Sequence, residues 1–504
     1  MPPFVLSEPS EGSRRPRVGV VVASVLVMLV VGFWGLDRGS MWLDEAATFT
    51  VATRPVRQVL AVLGNIDGVH GAYYLFEHVW LRFGGGEVWM RVPSVLAMGV
   101  AAGATAALGS RLAGARTGLV AGLLFAGWPF VSYYAQEGRS YALVTAAVLV
   151  ATYCLVRALS APGRRWWWGY AVSLVVAATL HELAVLAVPA HGVAVLLARP
   201  DRGAWRRWLA SVLTCAALLA PIVILSLQQA DQVSHVRPLT WGTLQRSAEK
   251  VLGSSPWLPA FVAGLAVLGV VAEVRRWRRR EGGALVAVGL PLLLVPVVLL
   301  LTVSLVQPLF EVRYVLFCVA GLPLLAARGV EQLATVAVRA TSRRAVGWAL
   351  AGLLVAGVSL AQLPDLRHER TITSRSQDLA GVAAVLRAHA KPGDAVLFVP
   401  PTLRIGAMAY PDGFRQVDDV ALDRSARRAA NLRGTNRRPR AVREAMLREQ
   451  RIWVVGFKSW TSRTDGTAPP ELVVLREHFQ QERRYPVHGV EVLLYVREDT
   501  RPTP

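Results

Sequence analysis

The chain has 504 residues, 53% of them hydrophobic, with a mean hydropathy of +0.40 and a formal charge of +21. A soluble protein of this length would divide into domains with polar surfaces, and so apolar a chain would precipitate. The basic excess does not read as nucleic-acid binding, because the arginines recur at the ends of apolar runs instead of forming one patch.

The composition therefore predicts a multi-pass α-helical membrane protein. Arg14, Arg15 and Arg17 precede a first apolar run of about 18 residues that lacks a small-residue cleavage site, so an uncleaved first span is expected in place of a signal peptide. Hydropathy places spans at about 18–36, 87–110, 118–134, 141–159, 168–180, 183–198, 209–227, 256–272, 284–306, 314–328 and 345–363. The two flanking His181-Glu182 are short for a bilayer of about 30 Å. Arginine placement settles their count. The N-terminus, Arg111 and Arg116, Arg164-Arg165, Arg199 to Arg207, the RRWRRR run at 275–280 and Arg328 to Arg344 share the cytoplasmic side only if 168–198 crosses and returns, which gives about eleven spans.

The outer side then collects the 37–86 loop with Asp44 and Glu45, SYYAQEGRSY at 132–141, His181-Glu182, the 228–255 loop and QPLFEVRY at 307–314. Ionisable groups at membrane depth are costly, which makes this set the candidate site. Cys154, Cys215 and Cys318 all sit in apolar runs, with neither disulfide nor metal-ligand spacing.

Beyond Asp365 the pattern changes to a small α/β domain. SQDLAGVAAVLRAHA predicts a helix and KPGD a turn; AVLFVP, IWVVGF at 452–457 and VEVLLYV at 490–496 predict strands, with a helix near 438–450. The expected organisation is a cytoplasmic tail at 1–17, a transmembrane domain at 18–364 and an extracytoplasmic domain at 365–504. The Arg-rich stretch RSARRAANLRGTNRRPR reads as a solvated surface, with anionic lipid headgroups as one partner for it.

Several of these motifs, taken in order, resemble one family. GSMWLDEAATF, NIDGVHGAYYLFEHVWLRFGGGEVWMRVPSVLA and PFVSYYAQEGRSYAL are similar to segments of bacterial protein O-mannosyltransferase-like proteins, the family 39 glycosyltransferases of GT-C fold. EVRYVLFCVAGLPLLAA is similar to a late R-Y segment of the same group, and DLAGVAAVL…KPGDAVLF to its C-terminal extracytoplasmic domain. The chain departs from the pattern at His70-Gly71-Ala72, where many relatives have H-P-P, and no loop accommodates a MIR-type insert.

The resemblance implies a sugar donor on a polyprenyl phosphate, mannose by default, and an acceptor hydroxyl on a protein, glycolipid or polysaccharide at the outer face of the plasma membrane. Such a transfer needs one carboxylate as general base. It needs fixed positive charge where the phosphate leaves, and no second acid, since phosphate is already a good leaving group. Asp44 is the candidate base, and Glu45 either orients it or binds acceptor or metal. Asp44 could equally cap the helix that follows it. Glu137 is assigned to sugar or acceptor and Arg139 to donor phosphate, with Tyr134 beside them; an interfacial ion pair in an aromatic belt is the bland alternative. Arg313 and Tyr314 are assigned to phosphate, with a snorkelling arginine at a span end as the alternative; His181 reaches the phosphate or a metal, or forms a satisfied polar pair with Glu182; Asp67 and His70 are assigned to the acceptor side. His78 and His191 read as packing residues. Asp44, Glu45, Glu137 and His181 include the ligand types of a divalent ion, but without a local ligand spacing no metal or other cofactor is assigned. The rival reading is a lipid or solute transporter or flippase, which inverted repeats and midplane charges would favour; the halves show no such similarity.

Overall fold

The structure, a computed structural model, describes residues 18–160, 163–229, 238–463 and 468–498. The expected cytoplasmic tail at 1–17, and residues 230–237 of the expected outer loop, lie outside the described residues. In chain order the helices are α1 (Val18–Phe33), α2 (Leu43–Ala52), α3 (Val56–Asn65), α4 (Gly71–Trp80), α5 (Gly86–Ala113), α6 (Ala115–Ala126) and α7 (Pro129–Ala135). There follow α8 (Tyr141–Ser160), α9 (Arg164–Leu180), α10 (Ala187–Ala198), α11 (Arg202–Gln228), α12 (Trp241–Leu252), α13 (Leu258–Arg278), α14 (Ala284–Ser304), α15 (Gly321–Thr341) and α16 (Arg344–Ala361).

Every apolar run predicted as a span lies on this helical framework. Among the described residues, seven helical stretches are long and apolar enough to cross a membrane, and the bent α6–α7 pair makes an eighth. Shorter apolar helices include α1 and Glu182–Ala198 in the predicted spans and Leu379–His389 beyond them, and α9 has 17 residues. The 65° bend between α6 and α7 has a local cause. Pro129 has no N–H to continue the helix and holds Trp128 in an extended conformation (φ −77°, ψ 122°).

The chain divides into two compact units. The first holds the chain up to Trp34 together with Arg91–Glu369; the second holds Gly35–Met90 together with the chain from Arg370 on.

In the first unit, small residues let helices approach backbone to backbone. A Cβ at Gly269 of α13 would lie 2.0 Å from the Leu325 carbonyl oxygen, and one at Gly329 of α15 would lie 2.0 Å from that of Leu265. Among lipid tails, which are as apolar as leucine, this close fit replaces the hydrophobic effect as the source of helix association. A buried ionic network joins the same helices. Arg328 donates to Glu273 and to Glu331, both at 2.8 Å, and Glu331 also accepts from Thr117 of α6.

The second unit is built on a five-stranded sheet. Its strands are β1 (Asp394–Val399), β2 (Val417–Asp419), β5 (Arg451–Gly456), β6 (Phe479–Val487) and β7 (Val490–Arg497), in the order β2-β1-β5-β7-β6; β3 (Leu422–Arg424) and β4 (Thr435–Asn436) form a separate ribbon. β1 runs parallel to β2 and β5, and β7 is antiparallel to β5 and β6. β1, β5 and β7, the central strands, are the three predicted from their continuous apolar runs. Asp394, buried at the start of β1, accepts from Trp453 at 2.8 Å and Arg451 at 2.9 Å, so its charge is matched.

One face of this sheet packs against a helix at Leu379–His389 and against the early loop. Met41, Ala46, Ala47 and Met90 share a core with Val382 and Leu386 of that helix, and with Phe398 and Trp453 of the sheet. The segment carrying Asp44 and Glu45 is therefore part of the same hydrophobic body as the C-terminal domain.

Candidate active site

In the first unit the sequence Gln136-Glu137-Gly138-Arg139-Ser140 makes a tight turn between α7 and α8. The Arg139 N–H donates to the Glu137 carbonyl at 2.8 Å, and Ser94 of α5 donates to the same carbonyl at 2.6 Å. Gln136 donates its amide to the carbonyls of Gly32 and Trp34, at 2.9 and 2.8 Å. The turn is thus fixed by partners on α5 and at the end of α1. Glu137 and Arg139, 1% and 5% exposed, are buried in the protein, where charge is costly.

A chain of aromatic rings leads away from this turn. Tyr134 meets Tyr133 and Tyr141 edge-on, and Tyr141 lies 5.6 Å from the ring of His181 and 6.3 Å from that of Tyr314. His181 and Tyr314 are 4.7 Å apart. Arg313 sits over both Tyr141 (5.6 Å) and Tyr314 (5.7 Å). The structure therefore brings together Tyr134, His181, Arg313 and Tyr314, all assigned from sequence and joined through Tyr141, with Glu137 and Arg139 at the adjoining turn.

Lys250 completes the cation set, and sequence reasoning missed it. Its ammonium lies 4.7 Å above Tyr133 and 5.4 Å above Tyr134. α12 is pinned there because Trp128 donates its indole N–H to the Val251 carbonyl at 2.6 Å. The side chain is open to solvent, yet enough protein surrounds it that desolvation pushes its pKa down from the usual lysine range. Glu137 opposes that shift and Arg313 adds to it.

In the second unit, Asp44 and Glu45 occupy the first turn of α2, where the helix N-terminus favours negative charge. Asp44 is not the cap. The N-cap is Trp42, with no side-chain cap bond, so the capping alternative does not account for this carboxylate. Asp44 is half-buried and Glu45 fully buried.

Asp67 takes a left-handed conformation (φ +65°) at the start of a turn leading into α4. Tyr74 donates its hydroxyl to Asp67, and His70 stands 3.7 Å from the same carboxylate. His70, Tyr73, Tyr74 and Glu77 recur at the spacing that lines one helix face. Glu77, also unassigned from sequence, is fully buried. Burial pushes its carboxyl up to about 8, with the Tyr73 hydroxyl pulling the other way.

The histidines read as packing residues have structural partners. His78 bonds the Ala52 carbonyl at 2.8 Å, tying α4 to the end of α2, and His191 meets Thr152 at 2.9 Å and Tyr170 at 3.2 Å. Among the described residues, no group of three or more His, Cys, Asp or Glu side chains comes close enough to hold a metal ion.

Known proteins share both the sequence pattern and the fold. Residues 71–227 match the family described as dolichyl-phosphate-mannose-protein mannosyltransferase. No curated protein sequence matches the chain. ArnT from Cupriavidus metallidurans is similar in structure in its apo state (TM-score 0.59, 15% identity, 96% of this chain and 99% of that one). It is similar also when bound to undecaprenyl phosphate (TM-score 0.58, 17% identity, 97% and 100%). The Archaeoglobus fulgidus oligosaccharyltransferase, in complex with Zn and sulfate, matches with TM-score 0.54 and 9% identity over 95% of this chain and 73% of that one. Residues 71–227 thus carry the pattern of the dolichyl-phosphate-mannose-protein mannosyltransferase family, and the chain as a whole has the GT-C glycosyltransferase fold.

Proposed function

We propose that this protein transfers a sugar, with mannose favoured, from a polyprenyl phosphate to an acceptor hydroxyl at the outer face of the plasma membrane. The observation that carries the reading is the convergence of three cations in the first unit: Arg139, Arg313 and Lys250 gather at the turn and the ring cluster beside Glu137, with Glu311 and Glu369 also acting on Lys250. Guanidinium and ammonium groups held among rings suit the anionic head of a lipid donor. The mannose preference rests on the family matched by residues 71–227, and the donor class also on the undecaprenyl phosphate bound by the ArnT neighbour.

The chemistry divides between two sets of side chains. As the acceptor oxygen bonds to the anomeric carbon, its proton passes to Asp44. The bond from that carbon to the phosphate oxygen breaks, and the electron pair stays on the polyprenyl phosphate. Arg139, Arg313 and Lys250 stabilise the negative charge that develops there, and His181 and Tyr314 complete that side. Glu45 orients Asp44, Glu137 contacts the sugar, and Asp67 and His70 serve the acceptor, whether protein, glycolipid or polysaccharide. The 18–364 and 365–504 division describes span content, the latter part lying outside the cell.

Membranes carrying wild type or Asp44→Asn at equal expression, supplied with labelled polyprenyl-phospho-mannose, test this assignment. Loss of the base should lower incorporation by about 100-fold or more. Matched incorporation would remove Asp44 as base, and label that crosses the bilayer without cleavage of the donor would favour a transporter.

A further inference from the structure

The stretch RSARRAANLRGTNRRPR at 424–440 contains seven arginines and no carboxylate. The structure holds it as a built surface on the second unit. Leu432 packs with Val51, Val59, Val62 and Tyr74. Asn65 donates to the Ala430 carbonyl at 3.2 Å, and Arg54 donates to the Asn431 carbonyl at 3.0 Å. The Asn431 side chain accepts the N–H groups of Arg433 and Gly434, at 3.1 and 2.6 Å. Arg404, buried and paired with Asp419, donates to the Arg433 carbonyl at 2.9 Å. The backbone from Ala430 to Gly434 is therefore tied down at successive residues.

Its side chains are not neutralised. Arg427, Arg428, Arg433 and Arg438 are exposed, and among the described residues none has a carboxylate within ion-pair distance. Arg424 and Arg440, at the two ends of the stretch, make exposed ion pairs with Asp423 at 3.9 Å and Glu444 at 3.6 Å, which leaves the middle of the loop uncompensated. Arg54, 2% exposed, bonds backbone carbonyls alone; burial lowers its pKa first and the Arg427 charge lowers it further. A fixed loop that sets like charges together pays for them in repulsion, and a bound anion relieves it. The charges also have a defined neighbour. Tyr74, packed against Leu432, donates to Asp67 beside His70.

We infer that the 424–440 loop is the docking surface for an acceptor that carries carboxylate or phosphate groups. The inference rests on the transferase reading and adds the acceptor's charge to it. Membrane lipid headgroups could supply the same phosphate chemistry. The acceptor is favoured because the loop is anchored on the α2–α4 segment that carries Asp67 and His70.

Binding to the purified full-length protein in neutral nanodiscs tests it, with fluorescent oligogalacturonate, a glycerol-phosphate oligomer, a neutral dextran oligomer and phosphatidylglycerol vesicles as probes. The variants are R427E/R428E/R433E and the milder R427Q/R428Q/R433Q, all at exposed side chains whose backbone anchors remain. At least one anionic probe should bind about tenfold or more tighter than dextran, weaken with salt, and lose about tenfold in the glutamate variant and less in the glutamine variant. Binding of undecaprenyl phosphate should stay unchanged. The carboxylate and phosphate probes separate the two anion chemistries. Equal binding of charged and neutral probes, or indifference to both triple variants, overturns the proposal. So does a loss confined to phosphatidylglycerol vesicles, which would make the loop a membrane contact. If the charged probes bind as expected but a separate transfer assay shows no sugar transferred, the transferase reading fails and the acceptor assignment is overturned with it, although the loop still binds anions.

Discussion

The Tyr410 hydroxyl accepts the Met41 N–H at 2.9 Å and donates to Glu87, so a residue 369 positions downstream fixes the entry to the helix that carries Asp44. Met41 stands directly before Trp42, the N-cap of α2. The far end of that helix is held as well, through Arg54 and the Asn431 carbonyl. The C-terminal domain thereby frames α2 at both ends.

Tyr410→Phe should therefore act on position more than on folding. Met41 keeps a second acceptor, Glu87 at 3.1 Å, so the stability cost should stay near the value of one hydrogen bond, about 1 kcal/mol. A base displaced by a fraction of an ångström should lower kcat by about tenfold and leave the KM for donor unchanged. Steady-state transfer at varied donor concentration checks this; a rise in donor KM at constant kcat would assign Tyr410 elsewhere.

Lys250 should make donor affinity fall at alkaline pH. Its ammonium is charged below its folded pKa, which burial has moved down from the usual lysine range. Affinity for polyprenyl phosphate should weaken as pH rises through that lowered value. Lys250→Gln should bind more weakly at neutral pH and show a flatter profile, and Lys250→Arg should keep the affinity while losing the alkaline fall. Titrations of undecaprenyl phosphate across pH measure it, and superimposable profiles for wild type and Lys250→Gln would reject the role.

Local signals made much of this legible in the sequence. Hydropathy located the apolar helices, and the ionisable residues at or near their ends include Glu137, Arg139, His181 and Arg313. The strands with continuous apolar runs were visible too. β6 was not, because FQQERRYPV is an edge strand with mostly exposed polar side chains and carries no apolar periodicity. Lys250 was missed because a single lysine in an amphipathic helix looks like a solvated face until Tyr133 and Tyr134 are placed beneath it. The pairings of Met41 with Tyr410 and of Arg54 with Asn431 join segments far apart in sequence, and no short-range pattern encodes them.

Arg328 tests the buried network of the first unit. It donates to Glu273 and Glu331 at 2.8 Å each, and Glu273 is 1% exposed. Arg328→Ala leaves the Glu273 carboxylate only its longer contact with Arg276, at 3.6 Å, and should cost about 3 kcal/mol. Glu273→Gln in the same background removes that charge and should recover part of that loss. Thermal unfolding in detergent of wild type, single and double variants checks the order, and a double variant no more stable than Arg328→Ala would show that packing around the guanidinium, not charge, sets the cost.

Glu77 predicts a stability change with a defined pH window. In the folded protein its carboxyl is raised to about 8 from an ordinary value of 4.5, with burial the main cause. Below the ordinary value the group is protonated in both states and contributes no penalty. As pH rises the unfolded chain releases this proton first, so the unfolded state binds fewer protons and stability falls by about 1.4 kcal/mol per unit. The fall ends near pH 8, where the folded protein also ionises. Glu77→Gln cannot titrate, so its melting temperature should match wild type near pH 4 and exceed it by a margin that widens to about pH 8 and then holds. Parallel melting curves of the two proteins across that range would place the carboxyl in contact with water and contradict its burial on α4.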